Sequence, residues 1–86
     1  MIDIEYAPAF LNQLKKLPLG LQEEAIEKIA LFKNRSHHRQ LKVHKLQGKM
    51  AGKWSFSVNY SYRIAFKWLP DGVAGLLAIG DHDIYK

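Results

Sequence analysis

Three side chains in this sequence could do acid–base or phosphate chemistry: His44, Arg63 and His82. Histidine gains and loses a proton near neutral pH, so it can act as a general base or as a general acid. Arg63 lies within an apolar strand-like segment, and a guanidinium held by strand geometry can bind a phosphate through two parallel hydrogen bonds. His82 stands between Asp81 and Asp83, and a neighbouring carboxylate can fix the tautomer of an imidazole. The alternatives are a solvated surface arginine for Arg63 and a hydrogen-bonded loop histidine for His82.

The basic residues are concentrated in residues 33–53, which contain no aspartate or glutamate. The seven cationic residues of this stretch are Lys33, Arg35, Arg39, Lys42, Lys45, Lys49 and Lys53. Together with the net charge of +5, they favour a polyanionic partner, either a nucleic acid or an acidic protein segment, over a merely solvated loop. Lys42, Lys45 and Lys49 are therefore candidate substrate contacts. Tyr85 either stacks on a base or closes the edge of the core.

Neither a metal site nor a cofactor is expected. The adjacent His37 and His38 point apart on regular structure and have no carboxylate nearby in sequence. The absence of cysteine excludes disulfides and cysteine-based zinc sites, which fits the cytoplasm. The N-terminus lacks the features of a signal peptide, and no apolar segment approaches the roughly 20 residues of a membrane span. We expect a soluble, cytoplasmic protein without a membrane partner, forming one domain over residues 1–86.

The first half of the chain predicts a strand followed by two helices. Apolar side chains alternate with acidic ones from Ile2 to Tyr6, which indicates a short strand. A helix is predicted from Pro8 to Leu17, because apolar residues recur there at helical spacing and Pro18 ends it. A second helix is predicted from about Leu19 or Gly20 to Lys33. Its predicted apolar stripe consists of Leu21, Ala25, Ile26, Ile29 and Phe32. The short link makes the pair an αα-hairpin that must cover a sheet.

The second half predicts about four strands joined by short connections. The predicted strands are Leu41–Leu46, Trp54–Asn59, Tyr62–Trp68 and Val73–Ile79. The connection GKMAGK, residues 48–53, has glycines suited to a hairpin, and residues 69–72 form a turn. Consecutive strands with short loops pair antiparallel, and helices grouped before them cover one face. The predicted fold class is α+β, in the order β-α-α-β-β-β-β, with an antiparallel sheet, and the first strand returns to its edge or beside a later strand.

The alternation within the strands predicts which side chains share a face of the sheet. The predicted helix-facing residues are Trp54, Phe56, Val58, Ile64 and Phe66. The opposite face, left for water or a ligand, is predicted to carry Ser55, Ser57, Asn59, Arg63 and Lys67. Lys42 and His44 share one side of the preceding predicted strand, which we assign to the polar face, whereas Lys45 points to the other side.

The ordered motifs resemble the RelE/ParE superfamily of type II toxin–antitoxin toxins. The segments that carry the resemblance are FLNQLKKLP, HKLQGKMAGKWSFSV, YRIAFK and IGDHDIY. The resemblance implies a fold like that of microbial ribonucleases, and a toxin that cleaves mRNA, often within the ribosomal A site. It also implies a cognate antitoxin that holds the toxin inactive in a hetero-oligomer. The reaction in such toxins needs no metal: the ribose 2′-OH attacks the adjacent phosphate.

The resemblance also implies roles for individual residues. His44 matches a histidine of histidine-containing members, Arg63 the phosphate-binding arginine of the RelE-like branch, His82 a C-terminal catalytic histidine, and Tyr85 a C-terminal aromatic residue. Lys42, Lys45 and Lys49 lie where other members place active-site lysines. Two departures are Ser57 and Ser61, which stand where some relatives carry a further histidine and aspartate. The implied assignment is His82 as general acid, His44 as base, and Arg63 with Lys42 as phosphate clamps.

Two other functions are compatible with the sequence. ParE-like toxins poison DNA gyrase and generally lack the acid–base residues, so His44, Arg63 and His82 favour a nuclease. The second alternative is a non-catalytic module that binds RNA or an antitoxin, for which the basic face alone would suffice.

Overall fold

The computed structural model describes residues 1–81 of the 86-residue chain. Within this range the helices and strands follow one another in the order β-α-α-β-β-β-β, as predicted. Their bounds are β1 Asp3–Tyr6, α1 Pro8–Lys15, α2 Leu19–Phe32, β2 His44–Lys45, β3 Trp54–Ser57, β4 Arg63–Leu69 and β5 Val73–Gly80. Within the described residues, no helix is both long and apolar enough to cross a membrane.

The strands form one five-stranded sheet in the order β1-β5-β4-β3-β2. The pairs β2–β3, β3–β4 and β4–β5 are antiparallel, which follows from their short connections. β1 lies at the edge beside β5 and runs parallel to it, so the sheet is mixed and the expectation of an entirely antiparallel sheet is wrong at this one pair. The edge position of β1 agrees with the prediction.

The two helices pack on one face of the sheet, as the apolar spacing predicts. Phe10, Ala25, Ile29 and Phe32 are buried. The prediction fails at Ile26, which is 57% exposed. Each helical residue is rotated by about 100° from the previous one, so Ile26 lies to the side of the stripe that Ala25, Ile29 and Phe32 form.

An aromatic cluster joins the end of α2 to the middle of the sheet. The ring of Phe32 stacks on Phe56 at 4.4 Å between centroids and meets Phe66 edge-on at 4.9 Å. His38 stacks on the other side of Phe32 at 4.7 Å. This histidine is half-buried, and its Nε2 donates to the carbonyl of Phe32 over 2.7 Å. His38 is thus a structural residue.

β5 contains a bulge, and because of it two side chains that are three residues apart both point into the core. Ala65 pairs with Ala78, but the next β4 residue, Phe66, pairs with Leu76, so Leu77 has no partner in the ladder. Because of this extra residue, Leu76 and Ile79 are both buried on the helix-facing side.

The strand predicted over Leu41–Leu46 is largely absent. Only His44 and Lys45 pair with β3, because the chain before them forms turns. The amide of Leu41 donates to the carbonyl of His37 over 3.0 Å, and Lys42 takes the left-handed conformation with φ 58°. The face of Lys42 therefore cannot be read from strand alternation.

Candidate active site

Arg63, the first residue of β4, is held by its own hairpin turn. Its Nη1 donates to the carbonyl oxygens of Asn59 (2.7 Å), Tyr60 (3.1 Å) and Tyr62 (3.1 Å). Within residues 1–81, all of its side-chain hydrogen bonds use Nη1. The guanidinium is half-buried and has a defined position, which is the condition for directional binding of an anion.

Asn59 fixes this turn from two sides. Its Oδ1 accepts from the amides of Ser61 (2.9 Å) and Tyr62 (2.8 Å), a side-chain turn typical of asparagine. Its Nδ2 donates to Glu24 of α2 over 2.7 Å. Asn59 therefore ties the carbonyls that hold Arg63 to the helix layer.

An open cleft of about 440 Å³ lies between α2 and the β3–β4 turn. Lys28, Lys42 and Arg63 line it with three positive charges, and the carboxylate of Glu24, also in its wall, accepts the hydrogen bond from Asn59. This is a cationic recess of a size that suits a phosphate group and its flanking sugar.

His44 lies on the same side of the sheet as Arg63. His44 pairs with Ser55 and Arg63 pairs with Ser57, and cross-strand partners share a face, as do residues two apart on one strand. From strand spacing and rise, the Cα atoms of His44 and Arg63 are roughly 12 Å apart. His44 is not among the residues that line the cleft, so of these two candidates only Arg63 lies in it.

The tautomer of His44 is set by its backbone surroundings. Its Nδ1 lies 2.7 Å from the carbonyl oxygen of Lys42, and a carbonyl can only accept, so Nδ1 carries the proton. In the neutral ring, Nε2 then has the free lone pair. His44 is exposed, so this lone pair is accessible to a substrate hydroxyl.

The basic stretch divides between the two faces of the sheet. Lys45 pairs with Trp54, and its Nζ lies 5.9 Å from the Trp54 ring centroid, on the face opposite to His44. Arg35 lies over Trp68 at 5.0 Å. Lys49 is exposed in the short 3-10 turn of residues 48–50. Of the three predicted lysine contacts, the structure brings only Lys42 into the cleft with Arg63.

The polar face is less open than the sequence predicts. Ser55 is fully buried, and so is its partner Ala65, so this part of the face is not free for water or a ligand. Ser57, by contrast, lines the cleft, and the amide of Ser61 is bound by Asn59.

His82 and Tyr85 lie outside the described residues. β5 ends at Gly80, which pairs with Arg63, and the described chain stops one residue later. Among residues 1–81, no group of three histidine, cysteine, aspartate or glutamate side chains could hold a metal ion.

The cleft residues that were not predicted include Glu24, Lys28, Tyr60 and Asn59 in its anchoring role. Asparagine between two strands is a turn signal, which could have identified its local hydrogen bonds. Its bond to Glu24, 35 residues away, depends on tertiary packing. Lys28 looks like an ordinary solvated helix residue in the sequence.

The chain is similar in fold to several solved structures. The RelBE2 toxin–antitoxin complex of Mycobacterium tuberculosis matches with a TM-score of 0.72 and 17% identity, over 94% of this chain and 98% of that one. The RelE–RelB complex of Pyrococcus horikoshii matches with 0.72 and 15% identity, over 93% of each chain. YafQ of Escherichia coli matches with 0.69 and 18% identity, over 98% and 97%.

No protein-family model and no curated protein sequence matches the chain. The structural matches cover nearly all of both chains, so the fold of this chain is that of the RelE/ParE toxins. The predicted resemblance is confirmed at the level of the fold.

Proposed function

We propose that this chain, which has the fold of RelE/ParE toxins, is the toxin of a type II toxin–antitoxin system and cleaves mRNA on the ribosome. The observation that carries the proposal is the turn-held guanidinium of Arg63 in a cleft that it shares with Lys28 and Lys42. Such a cationic recess suits a phosphodiester, and a base with an accessible lone pair, His44, projects from the same face of the sheet as Arg63.

The proposed reaction uses side chains alone. Nε2 of His44 takes the proton of the ribose 2′-OH, and the 2′-oxygen attacks the adjacent phosphorus. A bond forms between phosphorus and O2′, while the bond between phosphorus and O5′ breaks. His82, the proposed general acid, protonates the departing O5′. The products are a 2′,3′-cyclic phosphate and a 5′-hydroxyl.

Arg63 and Lys42 are proposed to neutralise the charge that develops on the phosphorane. The hydrogen bonds of the described residues occupy Nη1 of Arg63, so Nε and Nη2 are the proposed phosphate donors. Lys45 and Lys49 are proposed to act only through long-range attraction of the RNA, because Lys45 lies on the other face and Lys49 in an exposed turn.

The proposed partner is a cognate antitoxin, in a hetero-oligomer with the toxin. Two similar structures are complexes of RelE with RelB or of a RelBE pair. The net charge of +5 would favour an antitoxin segment rich in acidic residues.

The test is inducible expression without antitoxin, followed by growth measurement and primer extension on a reporter mRNA. We expect the wild type to arrest growth and shorten the transcript. Arg63→Ala should lose about 10²-fold or more of the cleavage, because a preorganised transition-state contact disappears. His82→Ala should lose cleavage as well. Arg35→Ala is the matched control. It also removes one arginine charge, but Arg35 lies over the Trp68 ring and does not line the cleft.

Two outcomes would contradict the proposal. Wild-type cleavage by Arg63→Ala would exclude its role as phosphate clamp. Growth arrest with intact transcripts and an SOS response would exclude the nuclease and favour a ParE-like gyrase poison.

A further inference from the structure

The β3–β4 turn presents an aromatic ring that the fold itself does not use. Tyr60 is 92% exposed, whereas every phenylalanine of the chain is fully buried. Within residues 1–81, the Tyr60 ring contacts no other ring and its hydroxyl makes no hydrogen bond. An aromatic side chain held out at a loop tip does not contribute to the core, and it suits a partner that offers a flat apolar surface.

Tyr60 adjoins the cationic cleft directly. Its carbonyl oxygen accepts from Nη1 of Arg63 over 3.1 Å, and the residue borders the cleft that Lys28 and Lys42 also line. A phosphate held by Arg63 would therefore bring its own or a neighbouring nucleobase next to the Tyr60 ring. This pairing of cations with an exposed aromatic ring is typical of single-strand nucleic-acid binding.

The backbone that carries Tyr60 is held from both sides. Asn59 binds the amides of Ser61 and Tyr62 and reaches Glu24 of α2. A tyrosine has only two side-chain torsions, so its ordering on binding costs little entropy when the backbone is already fixed. The turn therefore serves as a platform on which a base can stack.

We propose that Tyr60 is a base-stacking residue, and that with Arg63 it forms a nucleotide subsite for single-stranded RNA. The subsite rests on the proposed function, because that function supplies RNA as the ligand. Stacking on a ring tolerates any base, so Tyr60 raises affinity and positions the strand without dictating sequence.

The test is binding of a 2′-O-methyl single-stranded RNA, which cannot be cleaved by 2′-OH attack, measured by fluorescence anisotropy. Tyr60→Ala should weaken binding about ten-fold, the loss of one stacked base, whereas Tyr60→Phe should keep the wild-type affinity. Tyr6→Ala is the matched control, because Tyr6 is a part-exposed tyrosine on β1, at the opposite edge of the sheet from β2.

A series of RNAs, each abasic at one position, identifies the stacked base. One abasic position should weaken wild-type binding about ten-fold and have no further effect on Tyr60→Ala. Wild-type affinity in Tyr60→Ala would overturn the proposal, even if that variant lost affinity for an acidic antitoxin peptide. Failure of the wild type to bind RNA would overturn it too. The expected binding pattern without any RNA cleavage would support the subsite and refute the nuclease.

Discussion

His44 shows how one backbone carbonyl can decide the chemistry of a side chain. The carbonyl of Lys42 accepts from Nδ1, which leaves Nε2 as the basic nitrogen of the neutral ring. Lys42, which supplies this carbonyl, has a left-handed backbone conformation, and this conformation costs a non-glycine residue about 1 kcal/mol or more. The histidine could be selected from the sequence, but its tautomer could not, because the left-handed residue interrupts the predicted strand.

Replacing His44 tests its proposed role as base. We expect His44→Ala to slow single-turnover RNA cleavage by about 10²- to 10⁴-fold, the usual contribution of a general base. RNA affinity should persist, because the proposed phosphate contacts come from Arg63 and Lys42. His37→Ala is the matched control in the loop after α2 and should cleave normally. A His44→Ala variant that cleaves at the wild-type rate would remove His44 from the mechanism.

At the scale of elements, the helices were predictable and the second strand was not. Pro8 and Pro18 delimit α1, and the apolar spacing of α2 follows its buried face except at Ile26. β2 has only two paired residues, since hydrogen bonds among residues 37–43 turn the chain before it. Alternation also predicts the face of a residue but not its burial, as Ser55 shows.

Beyond its bulge, β5 is hydrogen-bonded to α1, and the contribution of this bond to the stability of the protein can be measured. The amide of the buried Ile79, two residues past the bulge, donates to Oε1 of Gln13 over 2.9 Å. Gln13→Leu should lower the free energy of unfolding in urea by about 1–3 kcal/mol, because this amide would lose its acceptor. Gln47→Leu, in an exposed loop, is the control and should change stability by less than about 0.5 kcal/mol. Equal stability of the two variants would contradict the proposed importance of this bond.

At the scale of the whole molecule, the basic residues that are clustered in the sequence are not the same as those that lie together in the cleft. Residues 33–53 hold most of the basic charge, yet Arg35 and Lys45 lie against tryptophan rings on the helix-facing side. The cleft instead combines Lys42 from that stretch with Lys28 of α2 and Arg63 of β4. The net charge predicts a polyanionic partner, and the fold decides which of the charges would meet it.

The salt dependence of RNA binding tests which cations contact phosphates. If Lys28, Lys42 and Arg63 each neutralise one phosphate, log K against log salt should have a slope of about −2 for a single strand. Raising salt from about 50 to about 200 mM would then weaken binding roughly 20-fold. Lys28→Gln should make the slope shallower by about 0.7, whereas Lys16→Gln, in the exposed link between the helices, should leave it unchanged. A flat salt dependence, or equal effects of the two substitutions, would show that RNA does not bind through this cleft.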